Sequence, residues 1–150
     1  MRPQYLGLTR TPAPGMLTRM QRSSRRRAPP DPVRVLISDD NELIRISLTA
    51  VLTAAGMHVV GTCTNGLETV AAVSRLKPSV VVMDLSMPGM GGVEATRRVL
   101  ALAPATKIVV LTGLARGAET EAAIAAGARA LVFKDEGADG VIAAIRGLPP

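Results

Sequence analysis

A chain of 150 residues, 47% of them hydrophobic, has the length of one domain with a substantial core. Its only aromatics are Tyr5 and Phe133 and its only cysteine is Cys63, which excludes a base-stacking nucleic-acid platform, an internal disulfide framework and a cysteine metal cluster. The net charge of +6 lies in residues 1–32, which hold seven arginines and one acid, so the remaining chain is balanced and offers no overall basic surface for DNA.

Residues 1–32 are rich in Arg, Pro, Thr and Ser and lack any helical or strand period. They are expected to be a disordered basic tail, without the apolar core of a secretory signal. A nucleic-acid-contacting arm, a transit peptide, or an over-extended start preceding Met16 or Met20 are the other readings. No apolar run approaches the ~20 residues of a membrane span, and the single cysteine fits a reducing, cytoplasmic setting. Cys63 reads as a small core residue. His58 has no second histidine and does not read as a ligand.

From Val33 onward the chain alternates strand and helix. Val33–Ile37 reads as the first strand and ends at Ser38-Asp39-Asp40. A helix is expected over about Asn41–Ala55, with Ile44, Leu48, Val51, Leu52 and Ala55 on one face, Asp40 or Asn41 capping its start and Gly56 closing it. His58–Thr62 reads as the second strand. Asn65-Gly66 opens a helix expected to turn Leu67, Val70, Ala71 and Ser74 inward and to stop before Lys77-Pro78. Val80–Asp84 is an unbroken apolar run into one carboxylate, the pattern of a strand buried on both faces. The loop Met87–Gly92 leads to a helix over about Val93–Leu102. Lys107–Leu111 is the fourth strand, Ala118–Ala126 a helix, Ala130–Phe133 the fifth strand and Gly137–Arg146 the last helix.

Five such units in succession predict a doubly wound α/β fold. The expected form is a five-stranded parallel sheet in the flavodoxin-like order 2-1-3-4-5, with helices on both faces. Ligands of open parallel sheets bind at the carboxyl ends of the strands. Asp39 and Asp40 follow strand one, Asp84 strand three, Thr112 strand four and Lys134 strand five. Three carboxylates on one rim repel, and a hard divalent cation relieves that repulsion. Mg²⁺ suits such a set, with Asp40 and Asp84 as direct ligands, Asp39 acting through water, and the Ser86 backbone carbonyl adding an oxygen. A carboxylate is also a nucleophile that forms an aspartyl-phosphate, and central Asp84 is the candidate. Lys134 would add a point charge and Thr112 a hydroxyl donor.

The motifs Leu36-Ile37-Ser38-Asp39-Asp40, Met83-Asp84-Leu85-Ser86-Met87-Pro88-Gly89, Leu111-Thr112-Gly113 and Phe133-Lys134-Asp135 resemble the receiver domain of two-component response regulators. The resemblance runs from about Val33 to Arg146, and the receiver domain is expected over 33–148. It implies that Asp84 is the phosphoacceptor, that Asp39 and Asp40 belong to the Mg²⁺ site, and that Thr112 is the switch hydroxyl. It also implies that Lys134 contacts the phosphoryl group and that a sensor histidine kinase or phosphotransfer protein is the donor. Such a module is not an enzyme beyond self-phosphorylation and autodephosphorylation. Lys134-Asp135 and Asp84-Leu-Ser-Met-Pro-Gly-Met resemble the NarL/LuxR-type subgroup with its helix-turn-helix output domain. No such segment follows Arg146, so direct DNA binding is not expected of this chain, and a truncated or split regulator is the alternative. Leu131 departs from the Tyr or Phe usual in the family, which implies a weak response, and a weak homodimer, through the face of the fourth helix, fifth strand and fifth helix.

Two other classes fit less well. An aspartate-nucleophile phosphatase of the haloacid dehalogenase kind usually has a second Asp two residues later, where this chain has Ser86. A dinucleotide-binding domain needs a glycine loop after strand one, where this chain has Ser38-Asp39-Asp40-Asn41.

Overall fold

The computed structural model describes residues 27–150, so most of the expected tail lies outside the described residues. Residues 27–33 carry neither helix nor strand. Pro32–Pro150 forms a compact unit. Its elements alternate: β1 (Arg34–Ser38), α1 (Glu42–Ala54), β2 (His58–Cys63), α2 (Gly66–Leu76), β3 (Val80–Met83), α3 (Gly92–Leu102), β4 (Lys107–Thr112), α4 (Ala118–Ala125), β5 (Ala130–Phe133) and α5 (Gly137–Arg146). All strand pairs are parallel and the order is β2-β1-β3-β4-β5, as the sequence predicts.

Alternation along the strands divides the core in two. Leu36, Val81, Met83, Ile108 and Val110 point to one face and meet Ala72 and Val73 of α2, Ala95 and Val99 of α3, and Ala123 of α4. Val35, Ile37, Val80, Val82, Val109 and Leu111 point to the other and meet Leu48 and Leu52 of α1 and Val141 and Ile145 of α5. β3 lies at the centre with every residue buried, which is why its sequence is continuously apolar.

The helix ends follow local chemistry. The Asn41 side chain caps α1 by accepting from Ile44 N–H, and Gly56, at φ +87°, takes the left-handed position that ends it. Asn65 caps α2 in the same way through Glu68 N–H. Cys63 is buried in the core, and that burial pushes its thiol pKa up.

Two expectations need correction. Strand and helix ends shift by a residue or two at several places, and a 3₁₀ turn, Lys134–Glu136, intervenes between β5 and α5. More substantially, α2 turns a different face inward. Leu67, Ala71 and Ser74 are exposed, while Gly66, Thr69, Ala72 and Val73 are buried. Hydrophobicity alone misjudged this helix because its inward face includes a threonine whose polarity is satisfied locally. Thr69 Oγ1 donates to Asn65 O at 2.7 Å and lies 2.5 Å from Ser38 Oγ on β1. Gly66 must also be inward, since a Cβ there would collide with Met90 O.

The buried Thr69–Ser38 pair locks α2 to the strand that ends in the acid pair. Thr69→Val keeps the shape but removes the hydroxyl, and should destabilise the fold by about 1–2 kcal/mol in urea unfolding. Leu67→Ala, on the exposed face, should change stability by less than about 0.5 kcal/mol.

Candidate functional site

The carboxyl rim is an extension of the sheet itself. Asp39 N–H donates to Cys63 O at 3.1 Å and Asp84 N–H to Ser38 O at 2.8 Å. The backbones of both acids are therefore held by strand-type hydrogen bonds just beyond the ends of β1 and β3. Asp39 and Asp84 are each 2% exposed, while Asp40 faces solvent. Carboxylate oxygens of Asp39, Asp40 and Asp84 lie within 4.8 Å of one another.

Each buried acid has one oxygen fixed by backbone. Asp39 Oδ1 accepts from Asn41 N–H at 2.8 Å, and Asp84 Oδ1 from Ser86 N–H at 3.3 Å. Their other oxygens face one ammonium: Lys134 Nζ lies 3.0 Å from Asp39 Oδ2 and 3.4 Å from Asp84 Oδ2. The 3₁₀ turn aims this lysine, and Glu136 closes the turn by accepting from Phe133 N–H at 2.6 Å. Thr112, fully buried at the end of β4, accepts from Leu114 N–H at 3.1 Å, which leaves its own proton free to donate.

The electrostatics are unbalanced. Burial, and then the charge of Asp39, push the Asp84 carboxyl up to about 6 against the opposing pull of Lys134 and Ser86 N–H. Burial also disfavours the Lys134 cation, but contact with Asp39 and the charge of Asp84 outweigh it and raise its pKa. One cation thus faces three clustered acids. Asp39 Oδ2 is buried and is met by the Lys134 ammonium at 3.0 Å. An all-oxygen acidic cluster with one cation to three carboxylates is the donor set a hard divalent cation takes, so these residues fit Mg²⁺.

The structure brings Asp39, Asp40, Asp84 and Lys134 directly together. Thr112 stands opposite Phe133 in the β4–β5 register, one residue from Lys134. Ser86 meets Asp84 through its backbone N–H. Sequence reasoning missed two supporting residues. Arg45 of α1 donates to the Asp39 carbonyl at 2.9 Å. Gly92 begins α3 against the Asp84 loop: a Cβ there would collide with Asp84 O and stand 2.8 Å from Leu85 Cα. The Gly91-Gly92 pair after Met87-Pro88-Gly89 was the available signal for that close approach.

An open parallel sheet with an acid cluster and a lysine on its carboxyl rim defines a CheY-like α/β domain. The family model "Response regulator receiver domain" matches residues 35–146, and the chain belongs to that family. It is 40% identical over 101 residues to the chemotaxis protein CheY of Thermotoga maritima, a match covering 67% of this chain and 84% of that protein. It is 38% identical over 115 residues to the response regulator GacA of Pseudomonas protegens, covering 76% of this chain but 54% of that protein. The chain thus spans about half the length of such regulators. A crystal structure of a LuxR-family two-component response regulator from Aurantimonas sp. aligns with TM-score 0.73 at 29% identity, over 77% of this chain and 83% of that one. Receiver domains are the phosphoacceptor signalling modules of two-component systems; they bind Mg²⁺ at the acidic pocket and interact with histidine kinases or phosphotransfer proteins. Among the described residues no helix is long and apolar enough to cross a membrane.

The raised carboxyl has a measurable consequence in metal-free protein. A folded-state pKa near 6 against an ordinary value of 3.8 means the folded chain holds this proton more tightly. The group's contribution to stability is then complete below about pH 4 and is lost as pH rises through about 6. Asp84→Asn removes the buried charge and should stabilise the metal-free protein at pH 7.5 by about 1–3 kcal/mol. In urea titrations across pH, that gain should shrink to nothing near pH 4.

Proposed function

We propose that Asp84 is the phosphoacceptor of this receiver domain, with Asp39, Asp40, Asp84 and the Ser86 backbone carbonyl holding Mg²⁺ and with Thr112 and Lys134 contacting the phosphoryl group. The observation that supports this reading best is the single ammonium of Lys134 facing Asp39 and Asp84, two carboxylates that are 2% exposed. Only Asp84 among the acids stands at the end of the central strand, with one oxygen oriented by Ser86 N–H.

In the transfer step an Asp84 oxygen attacks phosphorus in line with the donor. The new O–P bond forms as the bond to the donor breaks, and its electron pair leaves with the donor, a phosphohistidine or acetyl phosphate. Such transfers depend on positioning and charge stabilisation rather than on extensive covalent chemistry. Lys134 Nζ, already beside Asp84, supplies positive charge to the phosphoryl oxygens, and the Thr112 hydroxyl has a proton to donate. Mg²⁺, when bound, neutralises charge on the carboxylates and the phosphoryl group. The rim acids are anchored by Cys63 O, Ser38 O and Asn41 N–H, so little reorganisation is required.

The donor is a sensor histidine kinase or phosphotransfer protein, and the module performs no catalysis beyond its own phosphorylation and dephosphorylation. Residues 33–148 form the receiver and residues 1–32 a basic tail. The Lys134-Asp135 pair and the LuxR-family neighbour support the NarL/LuxR-type subgroup. Any helix-turn-helix output would then act from a segment or partner outside this receiver. Leu131, half-buried on β5 opposite Val110, replaces the family's aromatic, so a homodimer through α4, β5 and α5 should be weak.

Incubation with acetyl phosphate and Mg²⁺ should add one phosphoryl mass to the intact protein, and Asp84→Asn should abolish it. Full labelling of that variant would place the acceptor elsewhere. Sustained turnover of acetyl phosphate without a stable adduct would mark a phosphatase instead. Lys134→Ala should leave the fold intact and slow labelling at least about tenfold, the loss expected when one preorganised charge is removed.

A further inference from the structure

The loop between β4 and α4, Gly113–Gly117, carries two glycines, and all its residues except half-buried Leu114 are exposed. At its start, Leu114 rests against the core and its N–H bonds Thr112 Oγ1. At its end, Gly117 N–H donates to Thr120 Oγ1 at 2.9 Å. Between these points one side chain reaches across to another element: the guanidinium carbon of Arg116 lies 5.3 Å from the centroid of the Phe133 ring.

Phe133 is the only aromatic among the described residues. It sits opposite Thr112 in the strand register and immediately precedes Lys134. Its own N–H is held by Glu136, which fixes the turn that aims Lys134. The Arg116–Phe133 contact therefore joins two segments that each carry one polar group of the site. Thr112, Leu114, Phe133 and Lys134 line a cleft of about 260 Å³ between those segments.

We propose that Arg116, stacked on Phe133, is a positioning residue for phosphoryl transfer, latching the β4–α4 loop to the end of β5 so that the Thr112 hydroxyl and the Lys134 ammonium keep a fixed relation. The proposal rests on Asp84 being the phosphoacceptor. The physical reason is the hydroxyl. Thr112 Oγ1 is oriented by Leu114 N–H, and its free proton points usefully only while Leu114 stays in place. A glycine-bounded loop does not hold that geometry cheaply, because glycine gives up the most backbone freedom on ordering. A guanidinium over a ring supplies the restraint without a partner carboxylate, so it adds no negative charge beside an acidic site. A solvated arginine with no role would sit over Phe133 with no effect on transfer.

A double-mutant cycle separates these cases. Initial rates of labelling by acetyl phosphate with Mg²⁺ should fall about two- to fivefold in Arg116→Ala and in Phe133→Leu, the range an exposed cation–π contact supports. The double variant should be no slower than the slower single variant. Arg116→Lys should recover most of the rate. Mg²⁺ affinity, read by titration without phosphodonor, should be unchanged in every Arg116 variant, while the Thr112 and Leu114 amide shifts should move. Wild-type rates in both single variants, or losses that multiply in the double variant, would overturn the latch. If Phe133→Leu does not fold, the exposed Arg116→Ala and Arg116→Lys pair decides: a slow Ala and a near-normal Lys support the latch, and equal rates overturn it. Failure of wild type itself to label would instead overturn the assignment of Asp84.

Discussion

Two buried carboxylates share one ammonium at the end of a parallel sheet, and that imbalance governs the rest of the molecule. Asp39 and Asp84 are almost fully shielded from water, and Lys134, 28% exposed, reaches both. Burying a charge is tolerable only when it is paired or hydrogen-bonded. The fold meets part of that requirement with Asn41 and Ser86 N–H groups and part with Lys134. The remainder is left open, and it is expressed in the raised pKa of Asp84. An incomplete electrostatic arrangement is what allows a cation and a phosphoryl group to make a difference when they arrive.

The sheet provides the rigidity that keeps such an arrangement from collapsing. Core side chains alternate between two helical layers, so the central strands β1, β3 and β4 are packed from both sides and buried to their last residues. The acids then continue the backbone pairing one step past the strands. Small residues allow the close approaches around them: Gly92 admits α3 against the Asp84 loop, and Gly66 admits α2 against Met90. Thr69 and Ser38 fill the space beneath the rim with a satisfied polar pair. The result is a preorganised floor beneath a mobile chemistry, with loops rather than strands left to respond.

Family membership and the geometry of the rim lead to the same signalling role by separate routes. The family match covers 35–146, all but the first residue of the β1–α5 body. Beside the rim, Leu131 on β5 stands opposite Val110, and Arg116 lies over Phe133, which stands opposite Thr112. A conformational response at any such place requires a difference in free energy between two arrangements.

Much of this was legible in the residues themselves. Short apolar runs marked the strands, asparagines and glycines marked the helix ends, and polar groups falling at strand ends announced a shared rim, because each of these signals is local. The α2 face was not legible, since Thr69 is buried by a bond to Ser38, a residue 31 positions away that no helical period can see. The same holds for Gly92 against Asp84, Arg45 on the Asp39 carbonyl and Arg116 over Phe133. Sequence determined which residues stand at the rim, because strand ends are set by nearby chain. Only the tertiary structure decided which carboxylate oxygens face Lys134, which accept from backbone N–H groups, and which loop is held, because those depend on the packing of elements that meet across the sheet.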